Sequence, residues 1–222
     1  MNILEFILDH KEYLEDFITR STYHSNAIDG STLTYAETYA ILYNDNRFKI
    51  EGKEPREIYE AINHKKALEL VFRNLQNHEE FNENFIKQLN ETINRDIKDT
   101  KGYRTVQVFI QGTPEPEKIP NLMMYFTYNY HHDEQDIFTK IAKYHVEFEK
   151  IHTFEDGNGR TGRLLINYEL LKNNLPPVVI VKEDRVKYFE ILRNNDVNHF
   201  SEWLKDLSSR EKERMEKFGF KV

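Results

Sequence analysis

Residues 150–165 read KIHTFEDGNGRTGRLL, a run that gathers one histidine, two acids, three glycines and two arginines. Upstream, Phe138, Ile141, Ala142, His145, Phe148 and His152 recur on roughly one face of a helix. Downstream, a helix beginning near Thr161 is apolar nearly all round (Leu164, Leu165, Ile166, Leu170, Leu171), the pattern of a fully buried element. The pattern is thus helix, tight turn, buried helix. Glycines at 157 and 159 permit positive φ and let a ligand approach the backbone. The turn amides and the positive end of the second helix dipole then converge on one point, which makes an anion site. Arg160 and Arg163, three residues apart, add two cations suited to bidentate phosphate contacts. An acid such as Asp156 belongs beside phosphate when it holds Mg²⁺, which takes oxygen ligands from a carboxylate and phosphates together. His152 is the side chain suited to accept a proton near neutral pH. Singly, these residues read as a loop, a core histidine and a solvated arginine pair. Their coincidence points to phosphoryl or nucleotidyl transfer from a Mg-nucleotide to a hydroxyl.

Working outward, helical periodicity covers most of the chain. Ile3, Ile7, His10, Leu14 and Phe17 line one face of a first helix within residues 1–20. Thr34 and Glu37 form a capping box that opens another helix. Further helices are predicted over 55–72, 85–96, 121–130, 137–151, 161–173, 184–194 and 200–207, the first of them opened by Pro55. Residues 105–110 break the pattern: they alternate with period two, and Gly112, Pro114, Pro116 and Pro120 follow. That reads as a short β-hairpin flap on a mainly α body. The segment from Ser208 to the end is mostly charged and is expected to be a solvated helix or frayed end. The organisation expected is an N-terminal helix over 1–20, one catalytic domain over 21–207 and a charged tail over 208–222.

With 39% hydrophobic residues in 222, the chain can bury a sizeable core. It has no cysteine, which excludes disulfides, thiolate catalysis and zinc–thiolate sites. A formal net charge of −7 argues against nucleic acid as a partner, since phosphate backbones need a positive surface. No run approaches the about 20 apolar residues of a membrane span. The acids at Glu5, Asp9 and Glu12 do not fit a signal peptide, so the cytoplasm is the expected compartment.

The run from His152 to Arg163 resembles the signature of the Fic-domain family, H-x-F-x-D/E-G-N-G-R-x-x-R, at every specified position. Thr153 stands where proline is common. The similarity extends from about residue 21 to 207, taking in Gly102, Tyr103 and Arg104 before the flap and Asp184, Arg185 and Tyr188 after the core. The resemblance implies a helical bundle with one flap. It implies a protein adenylyltransferase: AMP passes from ATP to a Tyr, Thr or Ser hydroxyl of a target protein, and pyrophosphate leaves. His152 would then be the base and Asp156 the Mg²⁺ ligand. Gly157, Asn158 and Gly159 would cradle the phosphates. Arg160 would meet the β-phosphate and Arg163 the γ-phosphate, while Tyr188 and Asn195 would border the adenine. Phe154 would anchor the loop in the core. Ile110, Gln111, Gly112 and Thr113 would form the target-docking flap by strand addition. Self-modification and assembly with further copies stay open, as does phosphocholine transfer.

Many relatives in that family carry an inhibitory helix with the pattern S/T-x-x-x-E-G/N, whose acid pairs with the second arginine. Here the stretch reads Ser25-Asn26-Ala27-Ile28-Asp29-Gly30, with Asp in place of Glu. The resemblance implies that Asp29 inhibits, one methylene short of the usual reach. Gly30 also has a plain reading as a helix C-cap, and Asp29 as a surface acid. Two rival functions remain at this level: removal of AMP from a modified protein, and a non-catalytic nucleotide-binding module. The cluster His131, His132, Asp133 and Glu134 reads as a polar loop rather than a metal site. The aromatics Tyr125, Phe126, Tyr128 and Tyr130 read as core and helix surface.

Overall fold

The computed structural model describes residues 2–45, 50–98, 101–110 and 112–221. Its α-helices are α1 (Ile3–Asp9), α2 (Lys11–Ile28), α3 (Tyr35–Tyr43), α4 (Pro55–Gln76), α5 (Glu83–Ile93), α6 (Ile119–His132), α7 (Ile137–Ile151), α8 (Asn158–Lys172), α9 (Arg185–Asn194) and α10 (Val197–Lys217). Starts are chemically marked. Thr34 and Glu37 make the expected capping box at α3, Pro55 opens α4, and Asn82 and Asp136 accept backbone N–H bonds at α5 and α7.

The buried helix α8 organises the whole. Leu164, Leu165, Tyr168 and Leu171 join one apolar cluster with Phe17, Leu68, Phe85, Phe126 and Phe148. Ile166 and Leu170 join a second with Ile28, Ile141, Val146, Phe200 and Trp203. Helix α8 therefore lies between α4 and α5 on one side and α7 on another, and α10 packs along the far face of α7. The N-terminus of α8 opens at the site described below. Within the aromatic run, Phe126 and Tyr130 are buried while Tyr125 and Tyr128 face outward. Among the described residues, no helix is long and apolar enough to cross a membrane.

Three expectations are corrected. The hairpin flap does not form: the described residues contain no strand. Residues 105–110 meet no partner run, and Pro114 and Pro116 lack the N–H groups a return strand would need. Arg104 ties the loop instead, donating from Nη1 to the Val106 carbonyl (3.0 Å) and from Nη2 to the Pro114 carbonyl (2.5 Å). Gln111 lies outside the described residues. The first helix is two helices broken at His10, whose ring stacks on Phe6 and whose Nδ1 meets the Phe6 carbonyl at 2.8 Å. The tail is not a solvated appendage: α10 continues to Lys217, with Ser208, Glu211, Met215 and Phe220 all buried.

Candidate active site

The turn between α7 and α8 is held by side chains from the loop itself and from α5. His152 closes α7 in the left-handed region (φ 48°), a conformation histidine adopts more readily than most residues. Asn158 accepts from the Phe154 N–H at 2.9 Å and donates to the Phe154 carbonyl at 2.8 Å, closing the loop on itself. Phe154 is buried, packed near Tyr103 and Phe148. The Asp156 carbonyl accepts from Asn90 of α5 and from Asn94, the C-cap of that helix, at 2.8 and 3.1 Å. Gly157 has φ +76°, and a Cβ there would lie 3.1 Å from the side chains of Asn90, Ile93 and Asn94. The side chain of Asn158 is therefore committed to the loop. What it can offer an anion is its backbone N–H, together with the other free amides of the first turn of α8.

Both arginines of the turn are buried against acids. Arg163, 7% exposed, donates from Nε to the Ser25 hydroxyl, and from Nη2 to the Ser25 carbonyl and to Asp29 Oδ2, each at 2.9 Å. Asp29 Oδ2 also lies 3.6 Å from Arg160 Nε. Asp29 reaches this point because α2 ends there. Ser31 N–H bonds the Asn26 carbonyl and Gly30 N–H the Ala27 carbonyl, with Gly30 at φ +110°, a Schellman stop that leaves Asp29 as C-cap. Gly159 clears the space: a Cβ there would sit 2.8 Å from Arg163 Nη1 and 3.2 Å from Asp29 Oδ1. Arg160, 2% exposed, donates from Nη2 to Asp156 Oδ1 (3.2 Å), and its Nη1 lies 3.2 Å from Glu60 Oε1 of α4.

His152 stands at the edge of a cleft of about 750 Å³ whose walls include Ile110, Gly112 and Thr113 from the loop, Glu149 from α7, and Val186, Phe189 and Asn195. That volume suits a drug-sized or nucleotide-sized ligand. Asn195 borders the cleft. Tyr188 does not: it is 1% exposed, and its hydroxyl meets His145 Nε2 at 2.8 Å inside the core. Its neighbours Val186 and Phe189 supply apolar wall instead. Arg104 is buried and fixes the backbone at the start of the turn, donating from Nε to the His152 carbonyl (2.8 Å) and from its N–H to the Thr153 carbonyl (3.0 Å). Burial, and then the Arg104 cation, hold the His152 ring below its ordinary pKa of 6.5, against smaller opposing pulls from the Glu149 carbonyl and Asp156. Glu149, its side chain 14% exposed, is pushed up to about 7 by burial, with Arg163 lowering and Asp29 raising it.

No group of three or more His, Cys, Asp or Glu side chains able to hold a metal occurs among the described residues. Mg²⁺ needs no such cage when phosphates and waters complete its shell. One partly exposed carboxylate beside an amide cradle fits that donor set, and Asp156 is that carboxylate. The sequence reading missed Asn90, Asn94, Glu60 and Arg56, and it placed Arg104 in the resembling segment without giving it a role.

Residues 80–170 match the Fic/DOC family. Relatives named Protein adenylyltransferase Fic, from Aedes aegypti and Nematostella vectensis, are 30% and 32% identical over 200 residues. Those matches cover 85% and 86% of this chain but 40% and 46% of those proteins, so the chain spans less than half the length of these relatives. Among solved structures, a Fic-domain-containing signaling protein from Bacteroides thetaiotaomicron superposes with a TM-score of 0.83 at 26% identity, covering 94% of this chain and 88% of that one. Fic-1 from C. elegans superposes with a TM-score of 0.77 at 25% identity, covering 94% of this chain and 64% of that one. The helical frame is shared with these solved structures, and residues 80–170 within it match the Fic/DOC family.

Proposed function

We propose that the chain is a protein adenylyltransferase, moving AMP from ATP to a hydroxyl of a target protein and releasing pyrophosphate. The observation that carries this reading is the junction of two features. A cleft large enough for a nucleotide runs up to His152 and Glu149, and the α8 end that carries Arg160 and Arg163 follows His152 by one tight turn, with Gly162 of α8 packed against Glu149. A hydroxyl oxygen attacks the α-phosphorus while the His152 ring takes its proton. The bond from that phosphorus to the pyrophosphate oxygen breaks, and the arginines and amides stabilise the departing charge. Asp156 would hold Mg²⁺, which neutralises phosphate charge when bound. The loop bearing Ile110, Gly112 and Thr113 borders the cleft, which supports a role for it in meeting the target chain. The cytoplasm remains the expected compartment, and self-modification the simplest case of a target. Incubation with α-labelled ATP and Mg²⁺, with and without cell lysate, tests the activity. Absence of labelled protein under both conditions rejects the reading.

On this reading Asp29 is inhibitory. Its carboxylate holds Arg163 at 2.9 Å, and Ser25 adds two more bonds to the same guanidinium, so a γ-phosphate must displace all three. Aspartate, one methylene shorter than the usual glutamate, still reaches Arg163, and weaker inhibition than glutamate would give remains the expectation. Asp29→Gly is expected to raise initial AMP incorporation about 5- to 150-fold, the range of a 1–3 kcal/mol coupling. Equal rates for wild type and Asp29→Gly would remove the inhibitory role.

The lowered pKa of His152 has a kinetic consequence. A depressed pKa keeps the ring neutral and able to accept a proton further into acid. The acid limb of kcat/KM against pH is therefore expected below 6.5 and is read from rates between about pH 5 and 8. A limb at or above 6.5 contradicts the assignment of His152 as the base in this environment.

A further inference from the structure

Asp156 is already engaged by two cations. Its Oδ1 accepts from Arg160 Nη2 at 3.2 Å, and its Oδ2 from Arg56 Nη2 at 2.5 Å. Arg56 Nε also donates to Glu60 Oε1 at 2.9 Å, and Glu60 Oε1 faces Arg160 Nη1 at 3.2 Å. Arg56, Asp156, Arg160 and Glu60 thus close a ring of alternating charge. Three corners are confined: the side chains of Arg160, Glu60 and Asp156 are 2%, 11% and 23% exposed. Arg56 is 54% exposed. It is the corner that can leave.

Helix energetics do not account for Arg56. It occupies the first turn of α4, directly after Pro55, where the helix dipole disfavours a cation. Its pairing with Glu60 runs in the weaker order, cation before acid. An exposed ion pair is worth about 0–1 kcal/mol. The observation left over is the bond to Asp156.

We propose that Arg56 is a tethered counter-ion that covers the outer oxygen of Asp156 in the nucleotide-free protein and must swing away before a divalent cation binds there. This rests on the reading of Asp156 as the metal ligand. Arg56 is a positioning residue, since it acts through Asp156. A free cation has to displace a charge already in place. A cation arriving with a nucleotide gives the displaced guanidinium phosphate oxygens as new partners. Arg56 therefore couples metal binding to nucleotide binding and keeps the site from filling with metal alone.

The test is direct binding of Mn²⁺, followed by electron paramagnetic resonance, to wild type, Arg56→Gln, Arg56→Lys and Asp156→Asn, without nucleotide and with the non-transferable analogue α,β-methylene-ATP. Removing a unit charge about 5 Å from a divalent ion shifts affinity on the order of tenfold even at high dielectric. Arg56→Gln is expected to bind Mn²⁺ alone about tenfold more tightly than wild type. Arg56→Lys should follow wild type, Asp156→Asn should lose the site, and the analogue should narrow the gap. Equal affinities of wild type and Arg56→Gln for Mn²⁺ alone, with both taking up Mn²⁺ beside the analogue, overturn the role of Arg56 and leave the metal ligand standing. Failure of every protein to bind Mn²⁺ even with the analogue, or undiminished binding by Asp156→Asn, overturns the role of Asp156 and this proposal with it.

Discussion

Replacing His152 with alanine is expected to lower AMP incorporation by about 10²–10⁴-fold, the contribution typical of a general base. The substitution has a structural side effect that must be separated from the chemistry. Residue 152 sits at φ 48°, where alanine is strained and asparagine is tolerated. Its carbonyl, which Arg104 grips, belongs to the backbone and survives either change. His152→Asn therefore keeps the turn, removes the basic nitrogen, and is the cleaner variant. Both variants should retain nucleotide binding, read as an ATP-dependent rise in melting temperature, because the cradle is built from α8 and its arginines. Transfer by His152→Asn at the wild-type rate would remove the proposed mechanism.

The periodic helices and the signature turn were legible because their signals are local: capping residues, 3.6-residue spacing, glycines beside arginines. The flap was misread for a physical reason. Period-two alternation is necessary for a half-buried strand but not sufficient, because a strand also needs a second chain segment with free N–H groups. Arg104 takes up two loop carbonyls with its own guanidinium. Tyr188 was misplaced because an aromatic side chain in the right segment says nothing about which way it turns. Here its hydroxyl found His145 across the α7–α9 contact. Asn90 and Asn94, which fix the Asp156 carbonyl, lie 66 and 62 residues from it. An asparagine on the face of a helix announces no such partner. The same holds for the Arg56–Glu60 pair, an ordinary i, i+4 pair in sequence that becomes part of the site once α4 packs against α8.

The C-terminal tail shows the strongest case of that long-range pairing, and it carries the largest expected effect on stability. Glu211→Ala is expected to cost about 3–5 kcal/mol, the usual result of breaking a buried ion pair from one side. The Glu211 side chain is 7% exposed. Its Oε1 accepts from Tyr13 Oη at 2.7 Å and Arg20 Nη2 at 2.6 Å, and its Oε2 from Arg20 Nη1 at 3.0 Å. Arg20 is 15% exposed and is also bound to Asp16, which Arg214 holds from α10 by two further bonds. Deleting the Glu211 carboxylate leaves a largely buried guanidinium and a fully buried tyrosine hydroxyl with too few acceptors. Arg210→Ala provides the comparison. The Arg210–Asp206 pair is 2.7 Å long but 70% and 48% exposed, so its loss is expected to fall within about 1 kcal/mol of wild type. Denaturant unfolding of the three proteins measures the difference. Similar midpoints for Glu211→Ala and Arg210→Ala would show that the α2–α10 network contributes no more than surface charge. A large gap would show that a tail with the composition of a solvated end closes the fold onto α2, the helix whose last turn delivers Ser25 and Asp29 to Arg163.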